Sequence, residues 1–203
     1  MQIVLGPRQV GKSTTVRQAL QHQTVPTILI SADELTIVGA LWIAEQWERA
    51  RALASKSGTC ILAIDEIQKI PNWSETVKRL WDEDTATQSN VIVVLTGSST
   101  MLLRKGLSES LTGRFEVLRA THWTWPEMRD AFDCTIDEFL IHGGYPGPMS
   151  LRHDAERWLT YMRESIIETT LALDVLQVER IDKPALLRNL LMLGVSLSGQ
   201  IVS

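Results

Sequence analysis

The sequence predicts an α/β fold, three layers deep, with a mostly parallel sheet between helices. Three observations predict it. Short apolar runs alternate with stretches of helical period. Two of those runs, "CILAID" (60–65) and "NVIVVLTGSS" (90–99), are apolar almost throughout their strand portion, as strands covered on both faces are. Both runs also finish on acidic or hydroxyl residues, and a parallel sheet delivers its functional groups at the carboxyl ends of its strands.

The elements follow in order. "QIVL" (2–5) is a strand that stops at Gly6. From Lys12 to Gln21 the period is helical, with Val16, Ala19 and Leu20 on one side. "TILIS" (27–31) is a second strand, and residues 37–54 form a helix with Leu41, Trp42, Trp47, Ala50 and Leu53 on one face. After the strand 60–65, the helix "NWSETVKRLWDE" brings Trp73, Val77, Leu80 and Trp81 together. The strand after Asn90 and a fifth strand in "RFEVLRA" complete the sheet. Past residue 121 the texture turns helical: "THWTWPEMRDAF", "TIDEFLIHGG" and the stretch 151–173, whose stripe is Trp158, Met162, Ile166 and Leu173. "GGYPGP" (143–148) is the strongest breaker and a joint between helices. Residues 183–203 give a helix and then "SLSGQIVS", the start of another.

Composition bounds the function. The 203 residues are 44% hydrophobic and 22% charged, ordinary for one domain or a domain with an appendage. A net charge of −4 argues against a strongly basic nucleic-acid binder and leaves a local basic patch open. The two cysteines, Cys60 and Cys134, form no CxxC and sit in no His/Cys cluster, so they read as free thiols in a reducing compartment, with no zinc site. "MQIVLGPRQV" reaches its glycine too soon for a secretory leader, and "ALLRNLLMLGVSL" is too short and too interrupted to span a bilayer. A cytoplasmic location, with no membrane partner, is expected.

Residues 6–13, "GPRQVGKS", fit GxxxxGK[ST] in full. Glycines let such a loop curl so that main-chain N–H groups face an anion, and the helix that follows presents its positive dipole end to the same anion. The alternative, a glycine turn before a helix, lacks a reason for the strand–loop–helix context. Lys12 is placed to reach the β- and γ-phosphates, and Ser13 to ligate Mg²⁺. Asp65 and Glu66, at the exit of a buried strand, suit a metal ligand and a water-polarising base; a helix cap or solvated turn is the plain alternative. Thr96, Ser98 and Ser99 end the next strand, either to orient water or contact the γ-phosphate, or to cap a helix. Arg114, after a glycine in "SLTGRF", either stabilises charge on a transferred phosphoryl group, in its own subunit or a neighbour's, or is a surface arginine with a carboxylate partner. Arg8 is a further candidate for that charge, or an anchor of the loop. Of the seven tryptophans, Trp42, Trp47, Trp73, Trp81 and Trp158 read as core, while Trp123 and Trp125 wedge the helical part against the sheet.

The ordered set "GPRQVGKSTT", "LAIDEIQKIPNW", "VVLTGSS", "SLTGRF" and "GGYPG" resembles the prokaryotic AAA-type ATPases that carry a C-terminal domain of unknown function. The resemblance implies a P-loop NTPase core over 1–121, a helical lid over 122–178, and the start of a winged-helix or helix-turn-helix segment over 179–203. It implies ATP and Mg²⁺ as ligands. Gly6, Pro7, Arg8, Gln9, Val10, Gly11, Lys12, Ser13 and Thr14 would form the ATP loop, with Asp65 and Glu66 as metal and water residues. Thr96 or Ser98 would be a sensor and Arg114 a finger. Relatives of this kind carry a further segment before the first strand and continue past "SGQIVS", so the resemblance also implies a piece of a longer protein. The activity expected is ATP hydrolysis that changes the angle between core and lid; the competing reading is a nucleotide-gated binding module with little turnover, acting with a second copy, a partner protein or DNA. The acid after Asp65 counts against a small-molecule kinase, and the lack of NKxD against a GTPase.

Overall fold

The computed structural model describes residues 1–34, 39–97, 110–171 and 184–198. Five strands form one sheet in the order β2-β3-β4-β1-β5. They are β1 Gln2–Leu5, β2 Thr27–Ser31, β3 Cys60–Asp65, β4 Val91–Gly97 and β5 Glu116–Arg119. Every neighbouring pair is parallel, so all five carboxyl ends lie on one edge of the sheet. The fold class expected from the apolar runs is therefore present, strand by strand.

Alternation sorts the side chains. Ile3, Leu62, Ile64, Val93 and Leu95 enter the larger core, which α2 (Ala40–Ser57) and α3 (Trp73–Thr87) cover. Val4, Ile61, Ala63 and Val94 face the other way, onto Val16 of α1 (Lys12–Gln21). The buried stripe of α2 differs from the expected one: it is Ile43, Trp47, Ala50 and Ala54, while Leu41 and Leu53 are exposed. The reason is angular. Positions 43, 47, 50 and 54 hold a 3.6 period, whereas Leu41 lies about 200° from Ile43 around the axis. Each large side chain fully buried here contributes about 1.5–3 kcal/mol.

One polar group is built into the α2–α3 seam. Asp84 is 5% exposed and accepts from the Trp47 indole at 2.7 Å and from Arg51 Nε at 2.6 Å. Arg51 also donates to the Leu80 carbonyl at 3.0 Å, so the buried charge is both paired and hydrogen-bonded.

The helical region comprises α4 (Trp125–Phe132), α5 (Ile136–His142), a 3-10 turn (Gly147–Leu151), α6 (Ala155–Tyr161) and α7 (Pro184–Ser196). The stretch 151–173 is not one regular helix. After Tyr161 it passes into a π-helical segment, Met162–Glu168. Thr135 and Glu138 form a reciprocal capping box at the start of α5. A small core of Met128, Cys134 and Met149, flanked by Trp123, Phe132 and Phe139, holds α4, α5 and the 3-10 turn together. α7 carries exposed Leu186, Leu190, Met192, Leu193 and Val195, and Arg188 pairs with Glu168. Residues 179–183 and 199–203 of the expected helix-turn-helix start lie outside the described residues, as does Leu173 of the expected stripe.

Candidate functional site

The loop after β1 owes its place to a missing side chain. An ideal Cβ on Gly6 would lie 2.1 Å from the Ala120 carbonyl oxygen. Only glycine lets the chain leave β1 so close to the end of β5, where the Ala120 N–H donates to the Leu5 carbonyl at 2.8 Å. Gly11 adopts φ 92° and starts α1. The first i→i−4 bond of that helix runs from the Thr15 N–H to the Gly11 carbonyl, so the N–H groups of Lys12, Ser13 and Thr14 precede it. They form the positive end of the helix dipole at the loop.

Lys12 folds back over this curl. It is 6% exposed, and Nζ donates to the carbonyls of Gly6 at 3.0 Å and Pro7 at 2.6 Å. The ammonium thus sits inside the loop, where an anion among the main-chain N–H groups would meet it. Val10 is buried, Arg8 half-buried, and Gln9 and Thr14 exposed.

The acidic side of the site comes from register. Ser31 of β2 pairs with Asp65 of β3, and Ile64 pairs with Leu95, which sets Asp65 beside Thr96. The Thr96 hydroxyl donates to Asp65 Oδ1. Ser13, Ser31, Asp65 and Thr96 line one cavity of ≈ 110 Å³ at the carboxyl edge of the sheet. Two hydroxyls from α1 and β4 and one carboxylate make a hard-oxygen set, the kind that holds Mg²⁺ when phosphate oxygens supply the remaining ligands. Among the described residues no group of three or more His, Cys, Asp or Glu could hold a metal ion.

Glu66 follows at φ 54°, in the left-handed region. Its N–H donates to Asp65 Oδ1 at 3.1 Å, and its carboxylate accepts from Gln68 Nε2 at 2.6 Å. Lys69, one residue on, pairs with Asp33. Burial, and then the nearby positive charge of Arg8, hold the Lys69 ammonium below its ordinary pKa. Arg8 and Lys12 belong to the loop itself, and Lys69 lies near Arg8.

Of the remaining expected residues, Ser98 lies outside the described residues, as does Ser99. Arg114 is not brought to the loop. It precedes β5, whose first residue, Glu116, pairs with Gln2 at the start of β1. The loop leaves β1 from the other end, about 13 Å away at 3.3 Å per residue over four residues. There Arg114 donates to Asp82 of α3 at 2.8 and 3.2 Å. The surface ion pair is what the structure holds, and Arg114 stands away from its own chain's loop.

Several groups around the site have no motif to announce them. The Trp123 indole donates to the Val10 carbonyl at 2.9 Å, giving the expected wedge a specific anchor. The Tyr161 hydroxyl and the Ser165 carbonyl both bond the Gln9 side chain. Gln68 and Lys69 could have been found from "DEIQKIP" itself, which places two long polar side chains next to the acids.

A parallel sheet in which an inner strand, β1, feeds a glycine-bounded loop and a helix, with an acid-tipped strand one place away across β4, is a P-loop nucleotide-binding fold. A family model for an AAA domain matches residues 1–129, and one for a domain of unknown function (DUF8612) matches residues 134–203. The chain belongs to the AAA domain family, and is thus an ATPase-like nucleotide-binding protein with a C-terminal domain of unknown function. It is 30% identical over 115 residues to uncharacterized protein MJ1544 of Methanocaldococcus jannaschii, a match covering 56% of this chain and 24% of that protein, so the chain spans under a quarter of that relative's length. Among solved structures, the Walker-type ATPase PABY2304 of Pyrococcus abyssi aligns with a TM-score of 0.56 and 18% identity, over 96% of this chain and 69% of that one. That likeness is one of fold. No helix among the described residues is long and apolar enough to cross a membrane.

Proposed function

We propose that this chain binds ATP with Mg²⁺ in the loop 6–14 and hydrolyses it in a core formed by residues 1–121. The observation that carries the reading is the convergence of Ser13, Asp65 and Thr96 on one cavity beside the loop that encloses Lys12. Lys12 would exchange its two loop carbonyls for phosphate oxygens. Ser13 and Asp65 would hold Mg²⁺, which when bound neutralises charge on the phosphates. Thr96 keeps the Asp65 carboxylate in one orientation, and Glu66 would accept a proton from the attacking water. Residues 122–178 would act as the lid, and 179–203 as the start of a further segment. The two buried free cysteines fit a reducing compartment, the cytoplasm.

A second reading, a nucleotide-gated module with slow turnover, has its own support. The Glu66 carboxylate is engaged by Gln68, and Arg114 sits at the far edge of the sheet. A second copy of the chain could then supply what one copy lacks.

Nucleotide titration and phosphate release decide between them. Wild type should bind ATP more tightly with Mg²⁺ than in EDTA, and Lys12→Ala should lose binding. Glu66→Gln should keep binding and lose release by about 10²-fold or more if Glu66 is the base. Equal ATP affinity in Lys12→Ala and wild type refutes the site. Release too slow to change in Glu66→Gln, with binding intact, selects the module.

A further inference from the structure

Two consecutive residues of the loop, Gln9 and Val10, are gripped from the helical region. The Gln9 side chain is used at both ends: Nε2 donates to the Ser165 carbonyl at 3.0 Å, and Oε1 accepts from the Tyr161 hydroxyl at 2.7 Å. The Val10 carbonyl accepts from the Trp123 indole. Gln9 sits at φ 59°, where a side-chain-bearing residue persists only when its surroundings over-determine it.

Two further features serve this contact. Tyr161 is the last residue of α6, and the π-helical segment begins at Met162. A π turn is wider than an α turn and recurs at functional sites. Here it carries the Ser165 carbonyl that Gln9 reaches. Gly147, the last glycine of "GGYPG", faces the same point: a Cβ there would lie 2.8 Å from the Tyr161 hydroxyl and 3.7 Å from Gln9 Oε1. The breaker motif thus keeps open the space in which hydroxyl and amide meet.

We infer that Tyr161 is a positioning residue for the phosphate loop, acting through Gln9, and that the region of unknown function regulates nucleotide affinity by this clamp. The inference rests on the ATP site proposed above and adds its regulation. With the clamp made, Gln9 is fixed and the loop is organised before nucleotide arrives, which lowers the ordering cost of binding. Coupling between two sites is reciprocal, so a filled loop must also hold the Tyr161–Ser165 turn more firmly.

The test uses the full chain, Mg²⁺ and a fluorescent ATP analogue, with wild type, Tyr161→Phe, Gln9→Ala, the double variant and Lys12→Ala. Tyr161→Phe should raise Kd about two- to tenfold, the net worth of one hydrogen bond. Gln9→Ala should raise it at least as much. The double variant should match Gln9→Ala alone, because the hydroxyl has already lost its acceptor. Hydrogen exchange over 161–168 should slow when ATP binds wild type and stay unchanged in Tyr161→Phe. Lys12-dependent binding with an unaltered Kd in Tyr161→Phe, or with additive effects in the double variant, overturns the clamp and leaves the ATP site standing. Absence of Lys12-dependent binding overturns both. If Tyr161→Phe melts before it can be titrated, Gly147→Ala takes its place: its methyl displaces the hydroxyl while keeping the ring, and an unchanged Kd there also overturns the clamp.

Discussion

Gly6→Ala tests whether the approach of the loop to β5 is what forms the cradle. The added Cβ would lie 2.1 Å from the Ala120 oxygen, 2.9 Å from its carbonyl carbon and 3.0 Å from its Cβ. Ordinary carbon–oxygen contacts are about 3.3 Å, so the two backbones must part by about 1 Å. No flexible side chain can absorb this, since the obstacle is main chain. Overpacking of this sort costs about 1–3 kcal/mol. The adjacent Ala120–Leu5 hydrogen bond, now 2.8 Å, is stretched or lost, adding about 1 kcal/mol. A total near 3 kcal/mol corresponds to a fall in Tm of about 6–12 °C for a domain of this size. The displaced loop should also lose at least one charge-assisted hydrogen bond to phosphate, about 1.5 kcal/mol or more, which weakens ATP binding over about tenfold. Calorimetric melting and ATP titration read the two effects. A variant with wild-type Tm and wild-type Kd would refute the reasoning, because it would mean the loop leaves β1 some other way.

Asp84→Ala should lower stability by about 3 kcal/mol, leaving Arg51 and Trp47 without their buried acceptor, while ATP affinity stays unchanged; a Tm shift under about 2 °C would count against it. Arg114→Ala should leave the ATP Kd of a single copy unchanged and move the Tm little, as loss of an exposed pair does; a loss of turnover that depends on protein concentration would assign it to a neighbour's site. The Glu138 carboxyl is held below its ordinary range, first by the Thr135 N–H, then by the Thr135 hydroxyl and Arg152. A lowered folded-state pKa contributes stability above the ordinary value of 4.5 and loses it as pH falls through the lowered one, so acid melting of the helical region should be less steep in Glu138→Gln, and identical acid profiles would refute the cap.

Much of this arrangement is legible in the sequence because it is local. The strands stand out as apolar runs, and the loop and acids announce themselves by spacing. The polarity of a parallel strand also bears on where Arg114 lies. A residue just before a strand lies at the amino edge, and loops that bind phosphate lie at the carboxyl edge. The stripe of α2 was only half legible, because Leu41 and Leu53 are as apolar as the residues that turn inward and composition alone cannot order them by angle. The clamp on Gln9 was not legible at all. Tyr161 and Ser165 lie 152 and 156 residues from Gln9, and no local pattern encodes a contact of that separation. Nor does "MRESIIE" mark the π turn, since Ile166 keeps its buried place on an otherwise helical stripe.

The adjacent acids can serve one site only because β3 ends between them. Across the sheet, Ser31, Asp65, Thr96, Val4 and Leu118 form one row through the pairings of β2, β3, β4, β1 and β5. Alternation puts this row on the face that α1 covers, so Asp65 arrives beside Ser13. By the same rule, the next residue of an extended strand would point to the opposite face, into the packing of α2 and α3. Glu66 escapes that by taking φ 54°, which folds its N–H back to the Asp65 carboxylate and leaves its own carboxylate with Gln68. A slip of β3 by one residue would bury Asp65 against α3 and turn Ile64 towards the loop. The placing of the acidic pair therefore depends on where a strand stops, and the left-handed residue that stops it is Glu66, the base proposed above.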